Sequence, residues 1–231
     1  MGNAPFLAMT AAEIRANPDF SSPLGWMACH FSPYGTGLSN LPDALPEGSL
    51  LILNDRTPWL GHDPEHIAAQ LEACLAALSC RGLLLDFQRP GVPEVAKLSD
   101  LLFRRLGFPV GVSEPYAAEL DCPVFLPPVP PHRTVEDYLA PWQGREIWLE
   151  LALDAEEILV TPEGTSILPL PFSESEEGHR EENLHCRYTL QLSEDSARFT
   201  LRRTREDLDA LLEEAEKYGV TTSVGLWQEL A

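Results

Sequence analysis

The stretch Arg81-Gly82-Leu83-Leu84-Leu85-Asp86-Phe87-Gln88-Arg89-Pro90 decides the fold. It reads as a short apolar strand with a polar end. Side chains alternate across a strand, so Leu84, Asp86 and Gln88 share one face, and Leu83, Leu85 and Phe87 the other. A carboxylate and a carboxamide therefore point together. The order on both sides is strand, helix, strand, which implies a parallel sheet whose C-terminal strand ends carry the site.

Working outward, Ser49 to Asn54 (SLLILN) is a continuous apolar run, as expected of a strand buried on both faces. Asp63-Pro64 opens a helix with Ile67, Leu71, Cys74, Leu75 and Leu78 at helical spacing, ending before Gly82. Pro93 opens another, lined by Val95, Leu98, Leu101, Leu102 and Leu106 and stopped at Gly107. Phe108 to Ser113 then returns as strand. Two such units of about thirty residues are the signature of right-handed parallel crossovers.

Upstream, Thr10-Ala11-Ala12-Glu13 has capping-box spacing for a short helix broken at Pro18, and Leu24 to Phe31 is the first predicted strand. The glycines at 35 and 37 match neither a dinucleotide fingerprint nor a phosphate loop. Downstream, Cys122 to Leu126 and Arg145 to Leu153 are strands, with a proline-rich loop at 127–131 and a short helix capped by Thr134 between them. Glu150 and Trp148 share a face of the second.

From Asp154 to Arg203 the pattern changes to hairpins: 157–160 with 166–168 about Pro162-Glu163-Gly164, and 186–192 with 198–203 about 193–196. The acidic run 173–183 reads as a solvated, mobile loop. Thr204 then caps a helix stopped at Gly219, and Val220 to Trp227 is the last strand. The expected architecture is one domain over 1–231: a small α/β TIM-type (β/α)8-like barrel with β-hairpin additions in its second half. An open doubly wound sheet competes, without the glycine-rich loop a nucleotide binder needs.

Acidic residues outnumber basic ones by 36 to 16, a net charge of −20, so nucleic acid is excluded as an expected partner. Five cysteines, at 29, 74, 80, 122 and 186, form no CxxC pair and read as buried hydrophobes. No metal and no cofactor is expected. His62 and His66 have the spacing of a metal pair, but a surface role is expected of both, and His30 has no partner pattern. The N-terminus has neither a basic head nor a long apolar run, so no membrane association and a cytoplasmic location are expected.

Residues 81–88 resemble the active-site strand of family 18 glycoside hydrolases, the chitinase-like barrels, whose motif runs Asp-Gly-apolar-Asp-apolar-Asp-aromatic-Glu. Gly82, Leu83, Leu85, Asp86 and Phe87 match, whereas Arg81, Leu84 and Gln88 replace the other acidic positions. The end of the chain, from Ala215 through Ser223-Val224-Gly225-Leu226-Trp227, is also similar to the family's last helix and strand. The family carries its motif on the fourth strand. Counted from Leu24 the strand here is the third, so an early element is expected to be displaced or missing.

The resemblance implies that Asp86 orients an N-acetyl group and that Trp227 floors a sugar site. It also implies that position 88 holds the acid, and an amide there cannot deliver a proton. A catalytically inactive barrel binding a carbohydrate or other small polar ligand follows, with Asp86, Gln88, Trp227, Glu114, Tyr34 and Glu150 as candidate ligand contacts. Two alternatives stand beside it. One is an active glycosidase whose acid has moved to Glu114 or Asp55, with Asp86 completing the catalytic candidates; the other is a protein-interaction scaffold with a vestigial cleft, marked by a blocked pocket and an exposed apolar patch. The sequence leaves the oligomeric state open.

Overall fold

A computed structural model of the chain describes residues 4–171 and 177–231. Its first element, β1 (Phe6–Met9), is a strand that the local pattern does not announce. It is followed by α1 (Ala11–Ala16), β2 (Leu24–Phe31), the short β3 (Leu38–Ser39), β4 (Leu50–Asn54), α2 (Pro64–Ala77) and β5 (Gly82–Asp86). The chain continues through α3 (Pro93–Arg105), β6 (Val110–Ser113), α4 (Glu114–Ala117), β7 (Val124–Leu126), α5 (Val135–Leu139) and β8 (Ile147–Leu151). Next come five strands, β9 (Ala155–Thr161), β10 (Gly164–Leu170), β11 (His179–Glu181), β12 (Cys186–Leu192) and β13 (Ala197–Arg202). The chain closes with α6 (Arg205–Ala215), β14 (Val220–Leu226) and α7 (Trp227–Leu230).

Pairing runs β1-β14-β8-β7-β6-β5-β4-β2, and β1 also pairs with β2, so eight parallel strands close into a barrel. Only β3 joins it antiparallel, along β2. With β1 counted, β5 is the fourth barrel strand. No early element is missing: the four-residue run at 6–9 supplies it, tied in by Leu7↔Leu24 on one side and Phe6↔Val224 on the other.

The alternation read from 81–88 holds. Leu84 belongs to an inner cluster with Phe6, Ala8, Leu50, Ile52, Phe125, Trp148 and Val224, which fills the barrel. Leu83, Leu85 and Phe87 belong to the outer cluster, packed with Ile67 and Leu71 of α2 and Leu98 and Leu102 of α3. Trp148 makes the tightest demand on its neighbours. Its ring lies across Gly111, where an added Cβ would sit 2.3 Å from the ring, so only glycine fits on β6 at that level.

The hairpins form one antiparallel sheet, ordered β10-β9-β13-β12-β11, inserted between β8 and α6. Arg203 fastens it to the barrel. That side chain is buried and donates to the carbonyls of Val129 and Pro130 in the loop after β7, and to those of Leu184 and His185 in the insert. A buried guanidinium is tolerated because its donors meet fixed acceptors.

Three expectations are corrected. The run 173–183 is not simply a loop: 179–181 form β11, paired with β12, while 173–176 lie outside the described residues. Trp227 does not end the last strand but begins α7. His62 is not a surface residue: it is 4% exposed, packed against the rings of Phe31 and Trp59, and its Nδ1 accepts from Gly37 N–H. His66 is exposed one turn away, so the two do not converge. Among the described residues no cluster suits a metal ion, and no helix is long and apolar enough to cross a membrane.

Candidate functional site at the C-terminal mouth of the barrel

Parallel strands end together, and the last inward residue of each faces whatever enters from that side. On β5 this residue is Asp86, which lines a cleft of about 450 Å³ with Asn54, Asp55 and Arg56 at the end of β4, Met27 and His30 on β2, and Thr10 after β1. The carboxylate is held by Gln88, whose Nε2 donates to Asp86 Oδ1 at 2.5 Å; the Ser113 hydroxyl on β6 lies nearby and donates to Leu85 O. Burial pushes the Asp86 carboxyl upward; the Gln88 donor opposes that, and the neighbouring Asp55 adds to it.

The β4 end is equally ordered. Asn54 donates to Met27 O at 2.8 Å and accepts from Arg56 N–H at 3.1 Å. Asp55 Oδ2 accepts the Arg89 N–H at 2.8 Å, and Arg89 Nη2 reaches Arg56 O at 3.3 Å. Arg89 thus serves the β4 loop and not Asp86. Tyr116 holds the loop after β5, donating to Arg89 O and accepting from Val92 N–H. His30 Nδ1 lies 2.8 Å from Phe31 O, which can only accept, so Nδ1 carries the proton and Nε2 accepts from Asn40.

On the other side of the mouth stands Glu150, above Trp148 on the inner face of β8. Burial, followed by the charges of Asp86, Asp154 and Glu229, pushes its carboxyl up to about 7. Tyr138 of α5 lies within electrostatic reach of both Glu150 and Glu114, and its hydroxyl donates to Pro127 O at 2.9 Å. Burial first, then these two acids, push the Tyr138 phenol up to about 12.

Asp86 and Gln88 come together as read from the sequence, and Asp55 joins them. Glu150 ends the inner face of β8 at the same end of the barrel but is not among the residues lining the cleft. Tyr34 does not line the cleft: it is 85% exposed on the loop after β2. Glu114 is exposed at the start of α4 and does not line it either. Trp227 is partly buried and packs edge-to-face on Phe20, with centroids 5.2 Å apart, rather than lying among the cleft residues. Asn54, Arg56 and Thr10 were not singled out from sequence. Asn54 carried the same signal as Asp86, a polar residue ending a buried apolar run.

No family model matches the sequence, and no curated protein does. Solved structures share the fold. The C-terminal domain of a candidate chitinase from Desulfitobacterium hafniense DCB-2 aligns at 11% identity over 97% of this chain and 94% of that one, with a TM-score of 0.55. The chain shares the barrel fold of that domain. The spore cortex-lytic enzyme SleL of Bacillus megaterium QM B1551 aligns at 12% identity, over 98% of this chain and 70% of that one, with a TM-score of 0.55. SleL of Bacillus cereus gives 10% identity, 98% and 71% coverage, and 0.54.

Proposed function

We propose that the protein is a chitinase-like barrel that binds a carbohydrate, an amino-sugar oligomer, at its C-terminal mouth, and does not hydrolyse it through position 88. The observation that carries this reading is the Asp86 carboxylate. It lines an open cleft, and one of its oxygens is held by the Gln88 amide. A fixed acceptor of this kind suits sugar hydroxyl and amide N–H donors. The amide at 88 is committed to Asp86 and has no proton to give a leaving oxygen.

A hydrolase with a moved acid is less well supported. Asp55 lies in the cleft, but its Oδ2 is occupied by a backbone N–H, and Glu114 stands outside the lining. One observation favours the scaffold reading. The inserted sheet exposes Val160, Leu190 and Leu192, and an apolar groove of about 600 Å³ runs along that face. The open mouth speaks against the blocked pocket that reading requires.

Calorimetric titration with N-acetylglucosamine oligomers tests the proposal. Wild type should bind, and Asp86→Ala should weaken binding by about ten- to a hundredfold, the loss expected for a hydrogen bond to a charged group. Equal behaviour of the two proteins would dismiss the role of Asp86.

A further inference from the structure

We infer that Arg56 selects the ligand: the amino-sugar oligomer taken by the cleft carries a carboxylate, on the ring that meets Asp86 or on the next one. The inference rests on the binding reading above and names the class of ligand within it. Of the polar side chains that line the cleft, Thr10, His30, Asn40, Asn54, Asp55 and Asp86 each hold at least one hydrogen bond within the protein. Arg56 is the exception. Its backbone is engaged, the N–H with Asn54 and the carbonyl with Arg89, but among the described residues its guanidinium has neither a hydrogen bond nor an ion pair.

On a chain with 36 acidic side chains and 16 basic ones, a guanidinium has carboxylates to choose from, and Arg104, Arg105, Arg180 and Arg198 each reach one. Arg56 has two at hand and pairs with neither. Asp55 precedes it and accepts the Arg89 N–H instead, while Asp86 lines the same cleft and accepts from Gln88. The sheet sets where Arg56 stands. Asn54 lies opposite Asp86, and the Asp55 N–H still donates to Asp86 O at 3.3 Å, so Arg56 starts one residue beyond the last bond between β4 and β5. Neighbouring strands lie only about 4.8 Å apart. A ligand that donates to Asp86 therefore presents the same ring, or the adjoining one, to Arg56.

A planar guanidinium with unspent donors matches a carboxylate through two parallel hydrogen bonds, a fit that a neutral hydroxyl does not offer. The Arg89 guanidinium, anchored on Arg56 O at 3.3 Å and also without a carboxylate among the described residues, brings a second cation to the same rim. These two charges offset Asp55 and Asp86 locally. The rest of the acid excess is screened beyond about 8 to 10 Å, so selection is a contact effect and not long-range attraction. The cleft thus has a basic rim at Arg56 for an anionic substituent and an acceptor at Asp86 for the hydroxyl and amide N–H groups of the sugar.

The test is calorimetric titration with two acidic probes and the methyl ester of each, which removes the negative charge and leaves the sugar unchanged. One probe is a hyaluronan tetrasaccharide, with its carboxylate on the ring next to the amino sugar. The other is the disaccharide of N-acetylglucosamine and N-acetylmuramic acid, with the carboxylate on the amino sugar itself. Wild type should bind the acid form of at least one probe about ten- to a hundredfold more tightly than its ester, and the probe that does so places the carboxylate. Arg56→Gln should bring acid and ester to within a few-fold of each other and leave ester affinity unchanged, which also shows that the variant is folded. Equal binding of acid and ester by wild type for both probes, or a preference that survives in Arg56→Gln, would overturn the selection by Arg56; the carbohydrate reading stands in either case if N-acetylglucosamine oligomers bind. Absence of binding by wild type to those oligomers, the acids and the esters alike would overturn that reading, and the role of Arg56 with it.

Discussion

Replacing Glu150 by glutamine should stabilise the protein at neutral and alkaline pH and change little in acid. In the folded state its carboxyl is pushed from the ordinary value of 4.5 up to about 7. The sign follows from proton binding. Between about pH 4.5 and about pH 7 the unfolded chain has released this proton while the native protein holds it, so native stability falls as pH rises through that window. Below the window the penalty is absent, and above it the penalty is complete. At about 1.4 kcal/mol per pKa unit the ceiling is about 3 kcal/mol, and partial solvent access lowers the expectation to between about 1 and about 3 kcal/mol. Glutamine is nearly isosteric and never ionises, so the variant escapes the penalty. Asp86 and Asp154 are also pushed upward, but both remain in the variant and largely cancel in the comparison. Urea unfolding at about pH 4 and about pH 8 measures the difference directly. The stability of Glu150→Gln relative to wild type should rise by that amount between the two conditions. An unchanged difference, or one that falls, would refute the placement of Glu150 in an acid-rich, poorly solvated mouth.

Two further substitutions probe the site and the barrel. Gln88→Glu replaces the donor on Asp86 Oδ1 by a second carboxyl 2.5 Å away, so the pair must share a proton; thermal melts should show a loss of about 1 to 3 kcal/mol at pH 8 that recovers in acid. Gly111→Ala puts a methyl group 2.3 Å from the Trp148 ring and should cost about 1 to 3 kcal/mol, with a shifted tryptophan emission as the ring moves; an unaltered melt and spectrum would show that the barrel floor is looser than described.

Much of this architecture is written locally. The Gly82–Asp86 strand, the capped helices at Asp63-Pro64 and Thr204, and the change to hairpins after Asp154 each follow from spacing within a dozen residues. What escaped was set from far away. Phe6–Met9 is too short to show a period, and it becomes a strand because β14 and β2 leave one place to close the ring. Trp227 sits where it does because Phe20, some two hundred residues earlier, packs against it. His62 looked like a surface histidine until Phe31 and Trp59 enclosed it.

The site divides the same way. Asp86 and Gln88 are two residues apart on one strand, and their pairing could be read from alternation alone. The character of Glu150 could not, because the acids that surround it arrive from β5, the turn after β8 and α7. Asp55 and Arg89 likewise meet only because β4 and β5 are neighbours in register, with Asn54 opposite Asp86.

The central claim is that a sugar occupies the cleft at the C-terminal mouth beside Asp86. A crystal structure of the protein grown with an N-acetylglucosamine oligomer tests it most directly. The account predicts a sugar ring within hydrogen-bond distance of the Asp86 carboxylate. An oligomer found along the inserted sheet, or in no ordered position while Asp86 stays bound only to Gln88, would contradict it.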